Sequence, residues 1–167
     1  MRKTLAGLAA IFALALIAPA AAEDVKAGDL VITQAWTRAT PNGAKIGGGY
    51  LTIENKGTTP DRLVSGTADV AGKVEVHEMS MDNGVMKMRA LDKGLAIEPG
   101  KTVKLAPGGY HLMMFDLKNP LKQGDKAPVP TEFEKAAASY THLTPQPTRE
   151  QESQSIEVTS RQRKRQI

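Results

Sequence analysis

The chain has 167 residues, with 22 basic and 18 acidic side chains and no cysteine. The missing cysteines exclude thiolate metal sites, thiol catalysis and the Cys-containing blue-copper centre, and they leave an exported domain to stand on its core without disulfides. Nor does the basic surplus point to nucleic acid. From Glu23 to Tyr140 the chain holds 15 basic and 15 acidic residues, and the excess lies in Arg2, Lys3 and the last 27 residues.

Residues 1–22 read as a signal peptide. Arg2 and Lys3 precede an apolar run from Leu5 to Ile17, and Ala20, Ala21 and Ala22 supply the small residues a signal peptidase needs, with cleavage expected before Glu23. The run is shorter than the roughly 18 residues of a bilayer span. The mature chain is therefore expected in the periplasm, soluble, with no membrane insertion after signal removal. The absence of a lipid-attachment cysteine fits that expectation. Residues 23–135 suit one domain, and with three Phe, one Trp and three Tyr in the chain its core must be mostly aliphatic.

Turn signals punctuate this domain at Pro41-Asn42-Gly43, Asn55-Lys56-Gly57, Asp82-Asn83-Gly84, Pro99-Gly100 and Pro107-Gly108-Gly109. Between them, short alternating or β-branched runs predict strands near 30–35, 49–54, 73–78, 85–90, 95–97, 102–105, 110–115 and 131–134. Many short strands at such spacing make an antiparallel sandwich or barrel. Asp82-Asn83-Gly84 reads as a tight hairpin, because Asn-Gly tolerates the positive φ such turns require. From about Ala136 the composition turns to Thr, Gln, Ser, Arg and Pro, so residues 136–167 read as a disordered tail of non-native appearance.

Six of the seven methionines fall between Met79 and Met114; His77 lies two residues before this segment and His111 just inside its end. The segment runs His77-Glu78-Met79-Ser80-Met81, then Met86-Lys87-Met88, then His111-Leu112-Met113-Met114. Residues i and i+2 of a strand share a face, so His77 projects beside Met79, Met86 beside Met88, and His111 beside Met113. Thioethers select Cu(I) over hard cations, imidazole also suits copper, and zinc seldom accepts thioethers. Such donors are neutral, so affinity should fall at low pH mainly through the histidines, whose unperturbed pKa is about 6.5. Methionines in strands are more often core filler. Here they flank a polar hairpin and recur beside histidines, which favours a soft-metal site. Gly47-Gly48-Gly49 lacks the helix and Lys of a phosphate loop. Trp36 and Tyr50 are expected to pack in the core, and His142 to lie in the tail.

His77, ten residues, Met88, 22 residues and then His111-x-Met113 resembles the signature of the PCuAC-type periplasmic copper chaperones, whose spacing differs by one residue between the second and third ligands. Ala35-Trp36-Thr37-Arg38-Ala39, Gly48-Gly49-Tyr50-Leu51-Thr52-Ile53 and Pro107-Gly108-Gly109-Tyr110-His111 resemble the family as well. The resemblance covers about Leu30 to Lys135. It implies a cupredoxin-like Greek-key β-sandwich that binds Cu(I) through His77, Met88, His111 and Met113, with Met79 and Met86 as additional candidates for alternate or transfer ligation. It also implies a carrier rather than an enzyme, delivering copper to the copper-site subunit of cytochrome c oxidase alongside a Sco-type thiol partner. The end departs from the family, whose last Val-rich strand is replaced by Ser139-Tyr140-Thr141-His142-Leu143-Thr144. That departure implies a domain short of one strand, with an exposed edge. Copper storage or detoxification, and a structural sandwich whose methionines only pack, are the competing readings.

Overall fold

The computed structural model describes residues 24–136 and 139–146, so the expected signal peptide lies outside the described residues. Eleven strands follow in chain order: β1 (Val25–Ala27), β2 (Leu30–Arg38), β3 (Ile46–Asn55), β4 (Asp61–Gly66), β5 (Lys73–Asp82), β6 (Val85–Ala90), β7 (Leu95–Ile97), β8 (Thr102–Lys104), β9 (Tyr110–Phe115), β10 (Ala127–Phe133) and β11 (Ser139–Gln146). The described residues contain no helix. The all-β architecture expected from the turn spacing is therefore present, and β5, β6, β7 and β9 lie where the alternation placed them.

The strands pair in the order β1-β2-β11-β10-β4-β5-β9-β3-β8, and β2 also pairs β3, so the path closes on itself. The result is a flattened β-sandwich with crossing, Greek-key connections. Strand alternation sorts each side chain inward or outward. Along β5 and β9, Val74, Val76, Leu112 and Met114 face the core. Their neighbours Glu75, His77, His111 and Met113 face out from the same strands. Gly47-Gly48-Gly49 lies within β3, as packing glycines and not as a phosphate loop. A Cβ on Gly47 would stand 3.3 Å from Leu117, Leu121 and Met114 side-chain atoms.

The sequence expectation for the tail is corrected over residues 139–146. β11 runs antiparallel to β10, from Ala127↔Leu143 to Thr131↔Ser139. It runs parallel to β2 through Thr144↔Trp36, Pro145↔Thr37 and Gln146↔Arg38. The domain therefore extends past 135, and the place expected to be missing a strand is filled. Thr141, Leu143 and Pro145 point inward while His142 and Gln146 are exposed. Leu143 is fully buried against Gly49, where a Cβ would stand only 2.8 Å from the Leu143 Cδ1. Asp61 anchors the approach to β11: its carboxylate accepts the backbone N–H of Lys135 and of Ala136, each at 2.9 Å. Residues 147–167 of the expected tail lie outside the described residues.

Candidate metal centre

The strand registers assemble the histidines and methionines. His77 on β5 lies opposite His111 on β9, Met79 opposite Met88 on β6, and Met113 opposite Gly48 on β3. All face away from the core. Met79, Met88, His111 and Met113 line one shallow cleft with Arg38, Gly48 and Tyr50. A Cβ at Gly48 would stand 3.1 Å from the hydroxyl of Tyr50, which lines the same cleft. His77 stands beside the cleft, its ring centroid 5.8 Å from that of His111 and 5.8 Å from that of Phe115.

Both histidines are largely buried, at 8% and 5% exposure, and their partners fix their tautomers. His77 Nε2 is 2.8 Å from Glu75 Oε2. Glu75 is held below the usual carboxylate range, first by its hydrogen bond from Lys73 and then by that from His77, against an opposing push from burial. An ionised carboxylate only accepts, so Nε2 carries a hydrogen, and in the neutral form of the ring the lone pair lies on Nδ1. That Nδ1 is buried and has no hydrogen-bond partner. A buried acceptor left so costs about 1–3 kcal/mol, and a metal ion would satisfy it.

His111 takes the opposite tautomer. Its Nδ1 lies 3.1 Å from the Gly109 carbonyl oxygen, which also only accepts. Nδ1–H donates there, and Nε2 is the atom left with a lone pair. The two rings thus offer Nδ1 of His77 and Nε2 of His111 beside three thioethers. No carboxylate lines the cleft, and among the described residues no three His, Cys, Asp or Glu side chains cluster as a site for a harder cation would need. The donor set is neutral and soft, suited to Cu(I) and poor for Ca²⁺, Mg²⁺ or Zn²⁺.

Each residue expected in the site has a definite place. His111, Met113, Met88 and Met79 share the cleft, and His77 adjoins it. Met86 stands opposite Met81, further out along the hairpin, and is not among the cleft's lining residues. Met114 is core, with no exposed surface. Trp36 and Tyr50 pack on each other at a ring separation of 4.5 Å. Sequence reasoning passed over Glu75, although its place two residues before His77, on the same strand face, was a usable signal.

Comparison with known proteins bears on the family and the fold. Residues 30–143 match the family model of LpqE-like lipoproteins. A protein of Leifsonia xyli subsp. xyli, itself named as a lipoprotein, is 32% identical over 114 residues, 68% of each chain. A protein of Rickettsia prowazekii is 33% identical over 96 residues, 56% of this chain and 53% of that one. Among solved structures, the apo PCuAC domain of PmoF1 superposes with a TM-score of 0.64 at 25% identity, covering 75% of this chain and 100% of that domain. The copper-bound PCuAC domain of PmoF2 gives 0.65 at 23% identity, covering 75% and 99%. The Cu(I) form of DR1885 from Deinococcus radiodurans gives 0.54 at 23%, covering 74% and 80%. The fold is thus that of the cupredoxin-like PCuAC domains.

Proposed function

The chain belongs to the LpqE-like family, which is a PCuAC-type family, and from that premise we propose that it is a Cu(I) carrier of the cell envelope. The ligands in this reading are His77, Met88, His111 and Met113, with Met79 as an alternate thioether. The observation that carries it is the pair of histidines hydrogen-bonded through opposite ring nitrogens, one lining a thioether cleft and the other adjoining it. Copper-bound structural neighbours support copper as cargo, and a lipoprotein-named family and relative support an exported location.

The geometry suits transfer rather than storage. A cleft on the outer face of a sheet lets a recipient replace donors one at a time. Met88, 46% exposed, is the ligand most easily displaced. Copper is cargo here, and each exchange breaks one Cu–S or Cu–N bond as another forms, with the metal kept at +1. Delivery to the copper-site subunit of cytochrome c oxidase, after signal cleavage into the periplasm and beside a Sco-type thiol protein, is the recipient pathway proposed with this reading.

Anaerobic Cu(I) titration against a chromophoric chelator tests the assignment. One equivalent should bind, and Met88→Ala and His111→Ala should each weaken it by about tenfold or more, roughly 1.4 kcal/mol. Unchanged binding in both variants would remove the cleft from consideration. Transfer to an apo-oxidase copper-site fragment separates a carrier from a storage protein.

A further inference from the structure

The β5–β6 hairpin carries two methionines that the cleft does not use. Among the described residues β6 pairs only with β5, and all of its residues are exposed. Asn83 and Gly84 take φ of 49° and 79°, the two-residue turn expected from Asn-Gly. In such a turn the flanking pair, Asp82↔Val85, exchanges both backbone bonds. The alternate pairs Met81↔Met86 and Met79↔Met88 are then the closely spaced, non-hydrogen-bonded ones. Cβ atoms in such pairs stand about 4.5–5.5 Å apart.

The two faces of the hairpin differ completely. One carries ion pairs, Arg89 to Glu78 at 2.6 Å and Lys87 to Asp82. The other carries Met79, Met81, Met86 and Met88. Core filling does not account for the outer pair, since Met81 is 66% and Met86 61% exposed, whereas Met114 is 0%. Successive same-face pairs lie about 6.6–6.8 Å apart along a strand. Methionine's three rotatable bonds bring both pairs within reach of one ion.

We propose that Met81 and Met86 form a second soft-metal station at the hairpin tip, which accepts Cu(I) from a donor and passes it inward to Met79 and Met88. This rests on the reading of the cleft as the Cu(I) site. The step is ligand exchange alone. The bonds from copper to the Met81 and Met86 sulfurs break as bonds to Met88 and Met79 form, the ion stays monovalent, and the neutral thioethers release no proton. With two ligands against the cleft's four, the station binds more weakly, so the ion moves inward.

The test uses the full chain with ¹³C-labelled methionine methyl groups, titrated with Ag(I) as the redox-inert probe. The first equivalent should move the Met88 and Met113 methyl signals, and the second those of Met81 and Met86. The double variant Met81→Leu/Met86→Leu keeps the apolar surface and removes both sulfurs. It should lose the second equivalent and slow Ag(I) uptake from a chelator by about tenfold, with first-equivalent affinity within about twofold of wild type. Hairpin methyl signals that stay fixed through the second equivalent, or uptake at the wild-type rate in the leucine variant, would overturn the station. The latter result would instead mark the tip as an apolar contact for a protein partner. If the first equivalent leaves Met88 and Met113 unmoved, the cleft assignment fails, and inward transfer fails with it.

Discussion

Leu143→Ala is the substitution that decides whether the C-terminal segment belongs to the domain. The side chain is fully buried, on a strand held between β10 and β2. Core Leu→Ala changes cost about 2–5 kcal/mol, depending on how far the surroundings collapse into the hole. Here collapse is limited, because the Leu143 methyl sits against the backbone of Gly49, which has no side chain to move. The expected loss is therefore about 3–4 kcal/mol. For a domain of this size that lowers Tm by roughly 10–15 °C. Urea unfolding should show a lower midpoint with an unchanged slope. His142→Ala, on the exposed side of the same strand, should stay within about 0.5 kcal/mol of wild type. Gly49→Ala should destabilise by collision with Leu143, and Leu143→Ala should relieve part of that cost, a coupling a double-mutant cycle reads directly. A Leu143→Ala loss below about 1 kcal/mol would refute the placement of β11 and restore the segment as a dispensable tail.

Glu75→Gln should weaken Cu(I) binding by about tenfold, within the range for groups that orient a ligand, and ¹⁵N spectra of His77 should show its imidazole proton no longer fixed on Nε2. Met88→Ala, at an exposed hairpin position, should change Tm by no more than about 2–3 °C while Cu(I) affinity falls, as thermal melts and chelator competition would show. Zn(II) in large excess should fail to displace Cu(I) in the same competition, because the cleft offers neutral thioethers and no carboxylate. Asp61→Ala should cost about 2 kcal/mol in urea unfolding, since two backbone N–H groups before β11 lose their acceptor.

What the sequence determined on its own rests on local rules. The period-2 alternation of β5 and β9 sorts Val74, Val76, Leu112 and Met114 inward and His77, His111 and Met113 outward without reference to the rest of the chain. Asn83-Gly84 dictates a two-residue turn, and that turn fixes which methionines face each other. Hence these histidines and methionines could be grouped on shared strand faces before any contact was known, while the ligand set His77, Met88, His111 and Met113 was implied by the resemblance to the PCuAC family. Tertiary structure alone decided three further matters. It made β11 a strand, although the inward positions are Thr141, Leu143 and Pro145 and only Leu143 is strongly hydrophobic. Pro145 reads locally as a strand breaker, and the pairing with β10 and β2 is long-range in sequence. It set Met113 opposite Gly48 of β3, a pairing between residues far apart in the chain. And it gave each histidine its lone-pair direction, through Glu75 for His77 and the Gly109 carbonyl for His111. Alternation names the face a side chain takes, but which ring nitrogen keeps its lone pair depends on the partner the folded chain brings to the other one.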